Sequence, residues 1–255
     1  MEVIICIWLG LIGAIMGSFL GCMGYRIPNK IKTTYPSSFC SSCNKPLKWY
    51  MNIPIFSYII QKGRCVYCKE KIGIIYFICE VLGLILFPLN YILFDFDLNF
   101  FISTILTCVL ITTIVSDFKY YYISDRVLIV SGLCLLVVLY IFLSTSDFLM
   151  RLVSAVILFL VMIGLKILGN SMFNKESLGD GDIKLMAVIG LALGLLNSFI
   201  GLFFAAFIGL IFSLITIKKN KEGIIPFGPF ILIGALIVVY LSSIITPYIN
   251  SLLSL

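Results

Sequence analysis

Residues 101–116 read FISTILTCVLITTIVS, an apolar run that ends directly at the carboxylate of Asp117. A similar junction recurs in Leu178-Gly179-Asp180-Gly181-Asp182, where carboxylates and two glycines precede the next apolar run. An ionised side chain at the edge of hydrocarbon is costly, so a carboxylate in that position predicts a functional site. Glycines beside it let the backbone or a substrate approach closely. Asp117 and Asp182, at the ends of two membrane helices, therefore suggest an aspartyl protease built inside a bilayer.

The composition is that of a membrane protein. Hydrophobic residues make up 61% and charged residues 12% of the 255 residues, and the mean hydropathy of +1.15 excludes a soluble globule. Apolar stretches of about twenty residues recur, which is the length needed to cross roughly 30 Å of hydrocarbon. We predict an all-α polytopic membrane protein with eight spans, at about 3–25, 74–94, 98–116, 127–145, 150–169, 182–197, 198–217 and 228–248. Only Glu2 precedes the first run, so we expect a retained span there and not a cleaved signal peptide.

Basic residues are unevenly distributed among the predicted loops. Nine Lys or Arg residues and one acid, Glu70, lie between Arg26 and Lys71. With eight spans, the basic residues of three later loops fall on the same face as this segment: Lys119, Arg126, Lys166, Lys175, Lys218, Lys219 and Lys221. Only Arg151 falls on the opposite face. The positive-inside rule makes that face cytoplasmic, places both termini outside, and puts both aspartate junctions at the cytoplasmic boundary. Topogenic charge and affinity for anionic membrane lipid explain the net charge of +6 without a nucleic-acid partner.

The one sizeable polar segment, residues 26–73, contains four of the nine cysteines. Cys40-Ser-Ser-Cys43 and Cys65-Val-Tyr-Cys68 form two CxxC pairs separated by 21 residues. Such pairs supply four thiolates to a tetrahedral zinc ion, which would order a loop too small for a core of its own. Two disulfides or two redox pairs are the alternative, and a reducing cytoplasmic face disfavours structural disulfides. The other cysteines lie in apolar runs and are expected to be packing residues: Cys6, Cys22, Cys79, Cys108 and Cys134.

The absence of histidine limits the possible chemistry. It excludes Ser-His and Cys-His proteolysis and catalytic zinc sites with histidine ligands. Two carboxylates held close together share a proton, so that one can activate water while the other protonates the scissile amide. Asp117 and Asp182 are the predicted pair. We expect Asp125 to pair with Arg126 or cap the fourth span, and Asp180 to tune the pair by like-charge proximity.

The order of motifs along the chain resembles that of the type IV prepilin peptidases, also called leader peptidases. The matching segments are Gly17-Ser18-Phe19-Leu20 with Arg26-Ile27-Pro28, Asn52-Ile53-Pro54-Ile55-Phe56-Ser57-Tyr58, Gly63-Arg64-Cys65 leading into Cys68, Tyr76 with Glu80, Asp117 before Ile123-Ser124-Asp125, Gly179-Asp180-Gly181-Asp182 with Lys184-Leu185, and Ile225-Pro226-Phe227-Gly228-Pro229-Phe230. The chain departs from the family at Ser41 and Ser124, where proline is frequent. It also departs at Ile75 and Phe77, which replace a usual arginine and proline.

The resemblance implies an aspartic endopeptidase in the cytoplasmic membrane of a bacterium. By this resemblance, Asp117 and Asp182 cut the short basic leader from type IV prepilins or pseudopilins at the cytoplasmic face. Such substrates carry a glycine before the cut and a hydrophobic helix after it. They serve pili, secretion or DNA uptake.

The resemblance also implies a second activity. The family often N-methylates the new N-terminus with S-adenosylmethionine, and the loop at 26–73 is the part associated with that reaction. Gly63 is the candidate contact for this cofactor. The implied structural zinc ligands are Cys40, Cys43, Cys65 and Cys68. The implied organisation is a first transmembrane helix at 1–25, the four-cysteine loop at 26–73 and a transmembrane peptidase core at 74–255.

Four other functions stay open on the residues alone. A GxGD protease of the preflagellin or presenilin-like kind would share the aspartate pair without methylation, but should lack the paired CxxC loop. A proton-coupled transporter also uses acidic residues within the membrane, but needs neither that loop nor the Pro226–Pro229 motif. A scaffold with a zinc knuckle would make the aspartates dispensable. A serine–lysine protease would use a pair such as Ser171 with Lys175.

Overall fold

The computed structural model describes residues 1–173, 178–216 and 225–242. Within these residues the chain is helical, and its only β-structure is two isolated bridges in the cysteine loop. The helices are α1 (Glu2–Arg26), α2 (Phe56–Ile60), α3 (Ile74–Phe94), α4 (Leu98–Tyr120), α5 (Asp125–Phe142), α6 (Thr145–Phe173), α7 (Asp180–Leu193), α8 (Leu195–Thr216) and α9 (Gly228–Tyr240). A short 3₁₀ helix, Trp49–Asn52, precedes α2. The all-α fold class predicted from the sequence is confirmed.

Six of the described helices are long and apolar enough to cross a membrane: α1, α3, α4, α5, α6 and α8. They coincide with six of the eight predicted spans. α7 is shorter, because it ends after 14 residues at Leu193, where Gly194 takes a φ of +77°. At 1.5 Å per residue α7 is about 21 Å long, and the predicted boundary near Asn197 is wrong, since it lies at Gly194. The predicted end of the last span, at residue 248, lies outside the described residues.

The chain divides into two compact units. The first comprises Met1–Asp95 and Leu110–Tyr122, and the second comprises Phe96–Val109 and Ile123–Leu255. The long helix α4 therefore contributes its N-terminal half to the second unit and its C-terminal half to the first. As a consequence, Asp117 belongs to the first unit and the GxGD stretch belongs to the second.

In the first unit, α1 packs against α3 along a row of glycines. These buried residues recur every three or four positions along α1: Gly10, Gly13, Gly17 and Gly21 face α3, and Gly24 faces Thr112 and Val115 of α4. A Cβ built at Gly17 would lie 2.9 Å from Glu80 Cα, and one at Gly13 would overlap the backbone of Gly83. Small residues of this kind let membrane helices approach closely. Cys79 is fully buried in the core of this unit, which confirms its predicted packing role.

In the second unit, α7 contacts α5, α6, α8 and α9, and most of its residues are buried. A Cβ at Gly190 would lie 2.6 Å from Leu158 Cδ1, so this glycine permits the close approach of α6 and α7. Arg151 of α6 donates a hydrogen bond of 2.7 Å from Nη1 to the carbonyl of Ala192. It thereby satisfies one of the open carbonyl groups at the C-terminal end of α7. The helix that carries Asp182 is thus packed along its length and anchored at its far end.

Candidate active site and metal centre

Asp182 lies in the first turn of α7, two residues after the helix begins at Asp180. Its Oδ1 is buried, and a Cβ built at Gly179 would lie 3.1 Å from its Oδ2. Any side chain at position 179 would crowd the carboxylate of Asp182, which explains why glycine occupies that position. The open N–H groups and the positive end of the helix dipole favour a negative charge in the first turn of a helix. The GxGD stretch thus presents Asp182 at a helix N-terminus with no side chain at position 179 to cover it.

Gly181, the second glycine of the stretch, permits a close packing contact instead. A Cβ at this position would lie 2.7 Å from Ile123 Cβ, closer than real side chains approach each other. Glycine therefore lets the start of α7 approach Ile123, which lies two residues before the start of α5. Ile123 and the following Ser124 are both buried. The two glycines have different roles, since one clears space at the carboxylate and the other brings α7 against the segment before α5.

Two lysine–aspartate ion pairs flank the GxGD stretch. Lys166 Nζ lies 2.5 Å from Asp180 Oδ1, and Lys184 Nζ lies 2.7 Å from Asp125 Oδ1. The hydrogen bond from Lys166, together with its charge, holds the pKa of Asp180 below its usual value. Asp125 pairs with Lys184 and not with Arg126, and the residue at the N-cap of α5 is Ser124, so both roles expected of Asp125 are corrected. The charge of Asp180 is balanced by Lys166, so Asp180 repels the charge of a neighbouring carboxylate less than was expected from the sequence.

Asp117 lies in the last turn of α4, and only 5% of it is exposed. It follows a buried polar stretch of the same helix, formed by Thr112, Thr113 and Ser116. The open carbonyl groups at a helix C-terminus disfavour a negative charge, so the setting of Asp117 is electrostatically opposite to that of Asp182. The two aspartates belong to different units, and their pairing stays a prediction.

Lys119, two residues after Asp117, is held by aromatic side chains. Its Nζ lies 4.8 Å from the centroid of the Tyr76 ring and 5.9 Å from that of Tyr25, and it donates a hydrogen bond of 3.3 Å to Tyr76 Oη. Cation–π contacts of this kind stabilise an ammonium group at the membrane boundary. The sequence predicts only a topogenic charge for Lys119, and no pattern in it indicates the aromatic partners.

The cysteine loop contains two turns of the same geometry, residues 40–45 and 65–70. In each turn the N–H of the first cysteine bonds the carbonyl five residues later, at 3.0 and 2.9 Å. Its carbonyl in turn accepts the N–H four residues later, at 2.9 Å in both turns. The residue after the second cysteine takes a positive φ in both, 55° at Asn44 and 61° at Lys69. The two CxxC pairs are therefore a repeated knuckle, which aims backbone N–H groups and thiols towards one point.

The four thiols of these knuckles meet the geometry of a tetrahedral metal site. The Sγ atoms of Cys40, Cys43, Cys65 and Cys68 all lie within 4.8 Å of one another, and those of Cys40 and Cys68 are 3.8 Å apart. A tetrahedron with Zn–S bonds of about 2.3 Å has S···S edges of roughly 3.8 Å. The residues present therefore fit a zinc ion.

The pKa values of two of these thiols diverge. Burial acts to raise the pKa of the Cys40 thiol, but hydrogen bonds from the backbone of Cys43 and Ser42 and from neighbouring thiols lower it to about 6. A backbone hydrogen bond from Glu70 acts to lower the pKa of Cys68, but desolvation and the neighbouring thiols raise it to about 11. Four thiols this close cannot all ionise cheaply, because the thiolates would repel one another, and a bound cation removes that repulsion.

Gly63, the candidate cofactor contact, lies in the turn before the second knuckle. It has a φ of +64°, its N–H donates to the Tyr58 carbonyl at 2.9 Å, and its carbonyl accepts the N–H of Ile72 at 2.8 Å. A Cβ at this position would lie 2.9 Å from Tyr58 Oη. The left-handed backbone and the tight contact give glycine a structural role here, so the residue type does not by itself indicate a cofactor.

Two buried charged residues outside the predicted site hold the loop against the helices. The guanidinium of Arg26, at the end of α1, donates hydrogen bonds of 3.1–3.2 Å to three loop carbonyls, those of Lys32, Thr33 and Ser37. The carboxylate of Glu80, within α3, accepts the N–H of Ile55 at 2.7 Å. Ile55 has a φ of +65°, an uncommon conformation for a β-branched residue. The sequence singled out both charged residues as motif members, but no pattern in it named their loop partners.

Known proteins similar to this chain match it over nearly its whole length. Two family models match, the Bacterial Peptidase A24 N-terminal domain over residues 11–94 and the Type IV leader peptidase family over residues 104–214. The prepilin leader peptidase/N-methyltransferase of Bacillus subtilis (strain 168) is 32% identical over 244 residues, covering 93% of this chain and 95% of that protein. The protein of the same name from Vibrio cholerae is 29% identical, covering 94% and 98%. No solved structure matches this chain.

Proposed function

The chain belongs to the type IV leader peptidase family, and we propose that it removes the short basic leader of type IV prepilins or pseudopilins. The observation that carries this proposal is Asp182, whose carboxylate lies at the N-terminus of α7 with glycine facing its Oδ2. An aspartic peptidase of the membrane needs a carboxylate at the hydrocarbon boundary, and the position of Asp182 at the start of the apolar helix α7 supports this role. The relatives named prepilin leader peptidase/N-methyltransferase support the substrate class.

In this proposal Asp117 and Asp182 are the two catalytic residues and share one proton. Asp182 is the ionised partner, because the first turn of α7 favours negative charge. Asp117 is the protonated partner, because it is buried at the C-terminal end of α4. Asp182 accepts a proton from the attacking water, and Asp117 donates its proton as the scissile amide breaks. The chemistry needs no histidine, and the chain has none.

The neighbouring carboxylates are excluded from the catalytic pair in this proposal. The side chain of Asp180 is 76% exposed and that of Asp125 is 56% exposed, and each forms an ion pair with a lysine. Each of these exposed carboxylates is held by a lysine ammonium group and not by a second carboxylate with which it could share a proton. This environment supports Asp117 and Asp182, and not Asp125 and Asp180, as the pair that exchanges a proton.

The proposal puts this chemistry on the cytoplasmic side of the membrane. The positive-inside distribution of Lys and Arg supports that side for the cysteine loop and for both aspartate junctions. A prepilin fits such a site, because its apolar helix can lie laterally in the bilayer while its basic leader stays at the surface. The substrate would therefore reach the aspartates without leaving the membrane.

We further propose that the loop at 26–73 serves N-methylation of the new N-terminus, while residues 74–255 carry the peptidase. The names of the relatives support this second activity. S-adenosylmethionine supplies the methyl group when bound, and Gly63 stays our candidate contact for it. A zinc ion on the four knuckle cysteines would hold the two turns together, since the loop has little core of its own.

Co-expression with a candidate prepilin tests the proposal. We expect the mass of the prepilin to fall by that of its leader and to rise by one methyl group on the new N-terminal residue. Prepilin that keeps its leader beside a membrane-inserted enzyme would contradict the peptidase assignment and favour the transporter or scaffold alternatives. Prepilin that is cut without gaining a methyl group would contradict only the second activity.

A further inference from the structure

Part of the cysteine loop carries an apolar surface that the peptidase and methyl-transfer proposals do not use. This segment, residues 48–62, comprises the 3₁₀ helix and α2 with their flanking lysines, and we call it the docking segment. Its largest exposed side chains are those of Trp49 at 80%, Phe56 at 65% and Ile60 at 78% exposure, followed by Tyr50, Ile53 and Ile59. Other side chains of the segment, such as that of Met51, are buried and pack inward. So many exposed apolar groups in one short segment mark an interaction surface.

The charge pattern of the docking segment narrows the kind of partner. Lys48 and Lys62 stand at its two ends, both are exposed, and no Asp or Glu lies between them. The whole loop from Arg26 to Lys71 holds nine basic residues and one acid. Aromatic and aliphatic side chains bracketed by lysines are typical of a segment that lies in the interface of a membrane with anionic lipid.

Contacts with α3 bring the docking segment to the depth of the membrane boundary. Ile55 donates its N–H to Glu80 Oε2 at 2.7 Å, and Glu80 is six residues beyond the first residue of α3. At 1.5 Å per residue, this bond lies about 9 Å along the axis from the start of a helix that can cross a membrane. The Tyr58 ring stacks on Phe77 with centroids 4.7 Å apart, so α2 also lies beside the first turn of α3. The segment therefore runs alongside the end of α3 and not out into solvent.

We propose that the docking segment lies in the membrane interface, with its apolar side chains at the headgroup–acyl boundary and its lysines on anionic phospholipid. The hydrogen bond of Glu80 and the stacking of Tyr58 on Phe77 fix the segment at that depth. The four-cysteine site, whose knuckles lie immediately before and after the segment in sequence, is thereby held at the membrane surface. This inference does not depend on the peptidase chemistry, because it rests only on exposure, charge and contacts in the first unit.

The two tryptophans of the chain allow a direct test. Trp8 lies in α1 and Trp49 lies in the docking segment, so Trp8→Phe leaves Trp49 as the single tryptophan. The full chain is reconstituted in vesicles of phosphatidylcholine with and without phosphatidylglycerol. We expect blue-shifted Trp49 emission that is quenched by lipids spin-labelled near the headgroup and is poorly quenched by aqueous acrylamide. The reverse variant, Trp49→Phe, reports Trp8 as a reference for a fluorophore within the bilayer.

A matched pair of double variants tests the role of the lysines. Lys48→Gln with Lys62→Gln should lower the docked fraction in anionic vesicles, by about fivefold in the docking equilibrium for each lysine removed. Lys45→Gln with Lys69→Gln removes the same charge from the knuckles and should have a smaller effect. An equal loss in both double variants would overturn the assignment to this segment, since the attraction would then be diffuse.

Two other outcomes would overturn the proposal. Trp49 emission at the wavelength of indole in water, with full quenching by acrylamide and none by spin-labelled lipid, would show that the segment does not contact the bilayer. Shielding of Trp49 that develops only when prepilin is added would show that a protein substrate, and not lipid, covers the surface.

Discussion

The packing of α1 against α3 predicts that Gly17→Ala destabilises the protein. The new Cβ would overlap the backbone carbonyl oxygen of Cys79 and lie 2.9 Å from Glu80 Cα, whereas ordinary contact begins at 3.4 Å, so the helices must separate by more than about 0.5 Å there. The facing atoms belong to the backbone of α3 and cannot rotate away. A methyl group forced into a filled interface costs about 1–3 kcal/mol, and the better helix propensity of alanine returns about 0.5–1 kcal/mol. Taking the upper values because the clash is with backbone, we expect a net loss of about 2 kcal/mol in the free energy of unfolding.

The loss is measured as a change in Tm in detergent. For a chain of this size about 2 kcal/mol corresponds to a Tm lower by about 4–8 °C. A fluorogenic thiol reagent is a suitable probe once the thiols that are accessible in the folded protein have been blocked, because Cys79 is fully buried in this interface and reacts only when α1 leaves α3. The matched control is Gly164→Ala in α6, where a Cβ would meet nothing within 4 Å. An unchanged Tm in Gly17→Ala, or an equal fall in both variants, would refute the packing explanation.

Further predictions concern the cysteine loop. Cys65→Ser should release the one zinc ion that we expect per chain, because three thiolates hold it far less well, whereas the control Cys134→Ser in α5 should retain the ion. Metal analysis of freshly purified protein measures the zinc content of both variants. A wild-type protein without zinc would contradict the site. In the co-expression assay Cys65→Ser should cut the prepilin but leave its new N-terminus unmethylated, because the transmembrane helices can pack without the loop. Loss of both reactions together would show instead that the loop supports the peptidase. Arg26→Gln removes a buried guanidinium that donates three hydrogen bonds to the loop. Each lost charged hydrogen bond should lower the stability of the loop by about 1.5–3 kcal/mol, so protease cleavage of the loop should become faster. Cleavage at the wild-type rate would contradict this anchor role.

The fold could be predicted from the sequence because the membrane limits the choices. Apolar runs of helical length were enough to predict the all-α class and six of the spans. The end of α7 could not be predicted, because apolar residues continue from Leu191 through Leu196 and only the conformation of Gly194 interrupts them. Hydropathy does not detect a left-handed glycine within such a run.

The clustering of the four loop cysteines could be predicted from the sequence, whereas the contacts around the aspartates could not. The spacing of the cysteines was enough to identify the knuckles, because four thiols in two CxxC pairs have few other uses. The partners of Asp125 and Asp180 could not be derived, since Lys184 and Lys166 lie far from them in sequence or on another helix. The contact between Glu80 and Ile55 was equally hidden, because it depends on how a polar loop folds back onto α3.

The most direct test of the proposed mechanism compares Asp182→Asn with Asp180→Asn. Both substitutions remove one carboxylate from the same turn at the start of α7, and Asp180→Asn additionally removes the ion pair with Lys166. Leader removal from a co-expressed prepilin is followed by mass, with membrane insertion and zinc content measured for each variant. The proposal predicts that Asp182→Asn slows cleavage by at least about a hundredfold, since a proton acceptor is lost, while Asp180→Asn retains cleavage. Cleavage at the wild-type rate by Asp182→Asn would contradict the aspartyl mechanism.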